Sequence, residues 1–183
     1  MDLRTERTKR SIANAFLELR NQKPLEKISV KELSELAYIN KATFYTHYHD
    51  IYDLADQLEN EFMDSVIKEL PHPESIITDP ALATRELHDT LLAKQDISNI
   101  LFSGSRQGYL SEKIYLALTE YIKSKYPTNE YSLQHRIVLS IIIQGCFHAY
   151  QTFGNDENSD EVVEILGEVG TCLKANFLSN IPE

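Results

Sequence analysis

The chain has 183 residues, 42% hydrophobic and 25% charged, a balance that fits compact globular structure and excludes disordered and fibrous classes. Its net charge of −10 is unevenly placed: residues 1–50 hold nine Lys/Arg against seven Asp/Glu, the remainder nine against twenty-one, so a mildly basic head precedes an acidic body. The most apolar stretch, Ile137–Ile143, falls far short of the roughly 20 residues of a membrane span, and no signal-peptide core follows the charged start, so a cytoplasmic protein with no membrane partner is expected.

Ile12, Ala13, Phe16, Leu17 and Leu19 recur at helical spacing, which predicts an amphipathic helix over 5–22, ended by Pro24. Ser29-Val30-Lys31-Glu32 has the form of a capping box and opens a short helix over 30–37. Asn40 can cap a third helix carrying Phe44, Tyr45 and Tyr48, and Asp50 a fourth that runs to about Leu70. Pro71 and Pro73 stop the fourth, and Asp79-Pro80 supplies a cap and a first-turn proline for a helix over 80–94. Further helices are predicted over 95–104, closed near Gly104, and over 109–125, stopped at Tyr126-Pro127. The last two, over 130–153 and 159–178, are joined by the turn Gly154-Asn155-Asp156-Glu157-Asn158. No strand-like alternation and no internal repeat occurs. The expected fold class is therefore all-α with about nine helices: a three-helix head over 1–49, then a long fourth helix leading into a helical body over 50–183.

Two short helices joined by about three residues, with small polar side chains opening the second, have the layout of a DNA-binding helix-turn-helix over 29–48. Lys41, Ala42, Thr43 and Thr46 share one face of the second helix, whereas Phe44 and Tyr48 lie one turn apart on the other. One side is expected to pack and the other to stay free. Spacing alone leaves open an ordinary helical hairpin of a bundle.

The stretch ISVKELSELAYINKATFYTHYHDIYDL resembles the signature of the TetR/AcrR family, with Ile28, Val30, Leu33, Ala37, Ile39, Thr43, Phe44, Tyr45, His47 and Tyr48 in register. The resemblance implies a homodimeric transcriptional regulator whose two recognition helices enter successive major grooves of a palindromic double-stranded operator. It also implies a repressor released when a small-molecule or protein effector binds the larger domain. Carried over by position, Lys41 and Thr43 approach base edges from the face that also holds Ala42 and Thr46. Ser29, Tyr45 and His47 hold phosphates, Lys31 adds a cation, and Asn40 caps the helix. Two positions depart from the family pattern. Its turn glycine is here Tyr38, a bulky residue where φ > 0 is usual. Its lysine at the start of the fourth helix is here Ile51, which removes a phosphate contact; Arg4, Lys9, Arg10 and Lys31 either compensate for it or form an ordinary solvated charged face.

In the body, Ile137, Ile141, Ile142, Phe147 and Ala149 make the 130–153 helix apolar nearly all round, and Val162, Ile165, Leu166, Val169, Leu173 and Phe177 give the last helix a long stripe. A second copy is the simplest cover, with Gly167 and Gly170 permitting close approach of its backbone. The candidate interface is Ile137, Ile141, Phe147, Val162, Leu166, Val169 and Leu173, in a four-helix bundle built from two helices of each chain. The segment IIIQGCFHAYQTF further resembles the small C-terminal domain of one TetR subgroup. Candidates for an effector pocket are Phe102, Tyr109, Tyr115 and Tyr150, with His88 and Arg106 to orient a polar group.

Cys146 and Cys172 lie in apolar segments without disulfide or metal spacing. His72, His88, His135 and His148 are scattered, and Cys146-Phe147-His148 alone is no metal motif, so neither a metal site nor a cofactor is expected. There is no nucleophile elbow, phosphate-cradling glycine loop, HExxH or paired-carboxylate constellation, and SGSRQG at 103–108 reads as a turn, so no catalytic residue is expected. The alternative reading, motivated by Tyr38, Ile51 and the acidic total, is a TetR-like co-regulator that acts through a protein partner with weak or absent DNA binding.

Overall fold

The computed structural model describes residues 3–125, 132–154 and 157–177. Among the described residues the chain is all-α, with ten α-helices, two 3-10 turns and no strand. The helices are α1 (Leu3–Gln22), α2 (Val30–Leu36), α3 (Lys41–His47), α4 (Ile51–Glu69), α5 (Ser75–Thr78), α6 (Pro80–Ala93), α7 (Gln95–Leu101), α8 (Tyr109–Lys125), α9 (Leu133–Phe153) and α10 (Ser159–Phe177). The additional helix is α5, a single turn in the proline-rich connection after α4. The 95–104 prediction ran long: α7 closes at Leu101, and a 3-10 turn over Gly104–Arg106 follows, opened by Gly104 at φ +55.

Caps fix where the helices begin. Asp79 Oδ1 accepts the Leu82 N–H at 3.1 Å with Pro80 in the first turn of α6, and Ser132 Oγ accepts the His135 N–H at 3.3 Å at the start of α9. That helix opens at Leu133 rather than at 130. The expected stop at Tyr126-Pro127, Asn155 and Asp156 of the acidic turn, and residue 178 lie outside the described residues.

The helices fall into two compact units. The first runs through Phe62 and includes Gln95–Tyr109; the second comprises Met63–Lys94 and the chain from Leu110 onward. The boundary expected at 49/50 falls inside the first unit, because the N-terminal half of α4 buries Leu54, Ala55 and Phe62 there. Ile12, Phe16, Leu33, Phe44 and Leu54 are fully buried in this unit, and each stabilises the fold by roughly 1.5–3 kcal/mol through removal of apolar surface from water.

In the second unit α10 packs on α6 and α9. A Cβ on Gly167 would stand 2.9 Å from the Ala81 Cα, and one on Gly170 3.3 Å from the Pro80 Cβ. The two glycines therefore admit α6 of their own chain, which corrects the expectation that they admit a partner's backbone. Leu166 is also corrected, because it is already covered within the chain. It lies with Val163, Gly167 and Gly170 on the inward face of α10, at i, i+3, i+4 and i+7 spacing, and is buried within its own chain. The opposite face leaves Ile165 and Val169 exposed, Phe177 is exposed at the end of the helix, and α9 leaves Leu133, Ile137 and Ile141 exposed. Phe147, Val162 and Leu173 are half-buried. No helix among the described residues is long and apolar enough to cross a membrane.

Candidate functional site

The segment from Ser29 to Asp53 builds two short helices and the start of a long one. Ser29 Oγ accepts the Glu32 N–H at 3.2 Å. The return bond of a capping box is not made, because the Glu32 carboxylate pairs with Lys23 instead. At the other end of α2, the Tyr38 N–H donates to the Glu35 carbonyl at 3.3 Å and the Ile39 N–H to the Ser34 carbonyl at 2.9 Å. This is the Schellman arrangement, which puts the residue after the C-cap in left-handed conformation. Tyr38 occupies it at φ +55, and no other non-glycine residue among those described has positive φ. Left-handed backbone costs an L-residue about 1–2 kcal/mol. The Tyr38 side chain is 93% exposed, so packing within the chain recovers little of that strain. Ser11 on α1 ties the turn down by donating to the Ala37 carbonyl at 2.8 Å.

α3 is capped by Asn40, whose Oδ1 accepts the Thr43 N–H at 2.7 Å and the Thr43 hydroxyl at 3.0 Å. One turn later the Thr46 hydroxyl donates to the Ala42 carbonyl at 2.9 Å. Phe44 and Tyr48 are buried with ring centroids 5.6 Å apart. Burial pushes the Tyr48 phenol up to about 12, reinforced by the carboxylates of Glu61, Asp53 and Glu6, so it stays neutral. On the other face Lys41, Ala42, Tyr45 and Thr46 are exposed, with Thr43 and His47 half-buried. Asp50 Oδ1 accepts the Asp53 N–H at 2.8 Å, and Asp53 Oδ2 accepts the His49 N–H at 2.8 Å. These reciprocal bonds start α4, and the His49 amide, followed by the Gln57 side chain, holds the Asp53 carboxyl below its usual range.

Of the residues singled out for this segment, Ser29 and Asn40 are caps, and Lys31 stands exposed, 4.0 Å from Glu35. Arg4 and Arg10 are exposed on α1, and Lys9 is half-buried there. Ile51 is buried in the core, whereas its neighbour Tyr52 is exposed. Tyr52, Ser11 and Lys23 escaped the sequence reading. Tyr52 had a usable signal, an aromatic side chain beside the departing Ile51. The other two act across distances in sequence that no local pattern reveals.

The effector candidates divide between the two units. Phe102 is core, buried with its ring 6.0 Å from that of Phe62. Arg106 is buried and donates through Nε to Glu59 Oε1 at 2.7 Å and through Nη2 to Glu59 Oε2. Tyr109 lies against the same guanidinium, 3.8 Å from its ring centroid. Phe102 and Arg106 are thus corrected to structural roles, because their side chains are already saturated by their own chain. In the second unit His88 and Tyr150 do meet: His88 Nε2 is 2.9 Å from the Tyr150 hydroxyl, which is 3.0 Å from Ser159 Oγ. The other ring nitrogen, Nδ1, is 3.0 Å from Asp89. Tyr115 is half-buried on α8.

The first unit carries a cleft of about 490 Å³ lined by Arg20, Asn21, Asp96, Asn99, Ile100 and Ser103, none of them an effector candidate. The buried Arg20 guanidinium donates to Ser103 Oγ at 2.7 Å and to the Ser103 carbonyl at 3.2 Å, and desolvation lowers its pKa. Among the described residues no group of three or more His, Cys, Asp or Glu side chains could hold a metal ion. In comparisons with known families, curated proteins and solved structures, no family model, curated protein or solved structure matches the chain.

Proposed function

We propose that this chain is a cytoplasmic, homodimeric transcriptional regulator of the TetR/AcrR type, not an enzyme, that binds operator DNA through α2 and α3 and acts as a repressor released by an effector. The observation that carries the reading is α3 itself. This seven-residue helix is set by the Asn40 cap, anchored by buried Phe44 and Tyr48, and presents Lys41, Ala42, Tyr45 and Thr46 outward. A recognition helix needs that division, since only a face free of its own fold reads base edges in the major groove. The hydroxyl protons of Thr43 and Thr46 are already given to Asn40 and Ala42. Both threonines therefore meet bases as acceptors, which suits the amino groups of adenine and cytosine. Lys41 and Tyr45 supply phosphate or base contacts beside them.

The test is to titrate the protein into a labelled fragment from upstream of its own coding sequence and into a scrambled duplex, at several salt concentrations. Tight, salt-dependent binding to the first alone is expected, with two or four chains per duplex. Tyr45→Ala weakens binding to both duplexes, while Thr43→Ala mainly narrows the gap between them. Equal, weak binding of the wild type to both duplexes overturns operator recognition and favours the co-regulator that acts through a protein partner.

A further inference from the structure

Tyr38 combines two features that oppose each other unless something outside the chain uses it. Its backbone is left-handed at φ +55, and its side chain is 93% exposed. Both hydrogen bonds of the turn are made by main-chain N–H groups, of Tyr38 and of Ile39, and a glycine would make them equally well without strain. Strained backbone persists where its surroundings over-determine it or where function uses it; here the phenol forms no hydrogen bond among the described residues. The local charge says what kind of partner it meets. From Leu36 to His49 there is no carboxylate and Lys41 follows Tyr38 by three residues, while Glu35, three residues before it, stands 4.0 Å from Lys31. An aromatic side chain with a donor at its tip, on a segment free of negative charge, suits an anionic surface.

We propose that Tyr38 donates its phenol hydroxyl to a backbone phosphate of the bound duplex, and that the strained turn is retained because glycine would forfeit this contact. The inference rests on reading α2 and α3 as a DNA-binding element. It adds a residue at a position where the family resemblance supplies only a conformational glycine.

Tyr38→Gly and Tyr38→Phe are compared with the wild type in two measurements: thermal denaturation of the free protein, and titration into the labelled upstream fragment and the scrambled duplex. Tyr38→Gly should melt about 3 °C higher, because strain is relieved. It should nevertheless bind both duplexes about fivefold more weakly, the worth of one hydrogen bond. The salt dependence should keep its slope, since a neutral phenol displaces no counterion. Tyr38→Phe should melt as the wild type does and share the loss of affinity. A Tyr38→Gly or Tyr38→Phe protein that binds as tightly as the wild type overturns the contact and leaves the DNA-binding reading standing. A wild type that binds neither duplex overturns that reading and this inference with it.

Discussion

Arg106 and Glu59 put a full ion pair into the interior of the first unit, with the Glu59 side chain entirely out of solvent. Two buried charges are tolerated because the guanidinium matches the carboxylate with two parallel N–H donors, while Asp56 stands 3.5 Å from the same nitrogen. The Glu59 hydrogen bond raises the Arg106 pKa further. Such a pair adds little net stability compared with apolar residues of the same shape, but removing one partner strands the other. Glu59→Ala is therefore expected to destabilise the protein by about 3–5 kcal/mol, read from urea denaturation. Glu59→Leu with Arg106→Leu should recover a large part of that loss. A double variant no more stable than Glu59→Ala would mean that the pair, rather than its charge balance, holds this region. From the sequence Arg106 is a candidate to orient a polar group in an effector pocket. Its true partner is 47 positions away, beyond any local pattern.

Among the elements, the connection between α4 and α6 shows how a short segment is held by one side chain. His72 donates its backbone N–H to Glu86 Oε2 at 3.1 Å and brings Nδ1 to 2.6 Å from Oε1, which fastens the proline-rich turn to α6. The hydrogen bond to Glu86, and then its charge, raises the His72 pKa above 6.5. A raised folded-state pKa means that the folded state binds the proton more tightly than the unfolded chain. The extra stability is fully present below about pH 6.5, the unfolded value, and is lost as pH rises through the folded one. The gap in melting temperature between wild type and His72→Gln should thus be widest below about pH 6.5 and narrow as the pH rises above it. A gap that is constant across this range would show that the imidazole holds Glu86 without its charge, and no gap at all that the backbone N–H alone fastens the turn.

At the scale of the whole molecule, the exposed apolar side chains of the second unit bear on assembly. Ile137 and Ile141 on α9 and Ile165 and Val169 on α10 each keep 45–56% of their surface exposed. In the proposed regulator this surface meets its copy. Ile141→Glu combined with Val169→Glu should leave the helical content unchanged and convert a dimer to a monomer in sedimentation equilibrium. The same variant should lose tight operator binding, because each monomer then holds one half-site alone. A wild type that sediments as a monomer would remove the dimer from the proposal.

The sequence by itself determined the longer helices, though not the single turn α5. Caps at Asn40, Asp50 and Asp79, stops at Pro24 and Pro71, and 3.6-residue periodicity are local signals, so where a helix begins and ends can be read within one or two turns. The two-sided character of α3 was legible for the same reason, since Phe44 and Tyr48 are one turn apart and Lys41, Ala42 and Thr46 lie opposite. The strain at Tyr38 was half legible: the position called for φ > 0, but the Schellman bonds that impose it are a matter of three-dimensional geometry. Only the tertiary structure decided which apolar faces are covered. Periodicity shows that α10 has an apolar stripe but not which neighbour takes it. Gly167 and Gly170 turned out to face α6 of the same chain and Leu166 is buried within it, while Ile165 and Val169 stayed exposed. Tertiary structure likewise paired Arg106 with Glu59 and His88 with Tyr150, because such partners are chosen by the packing of helices and not by their order in the chain.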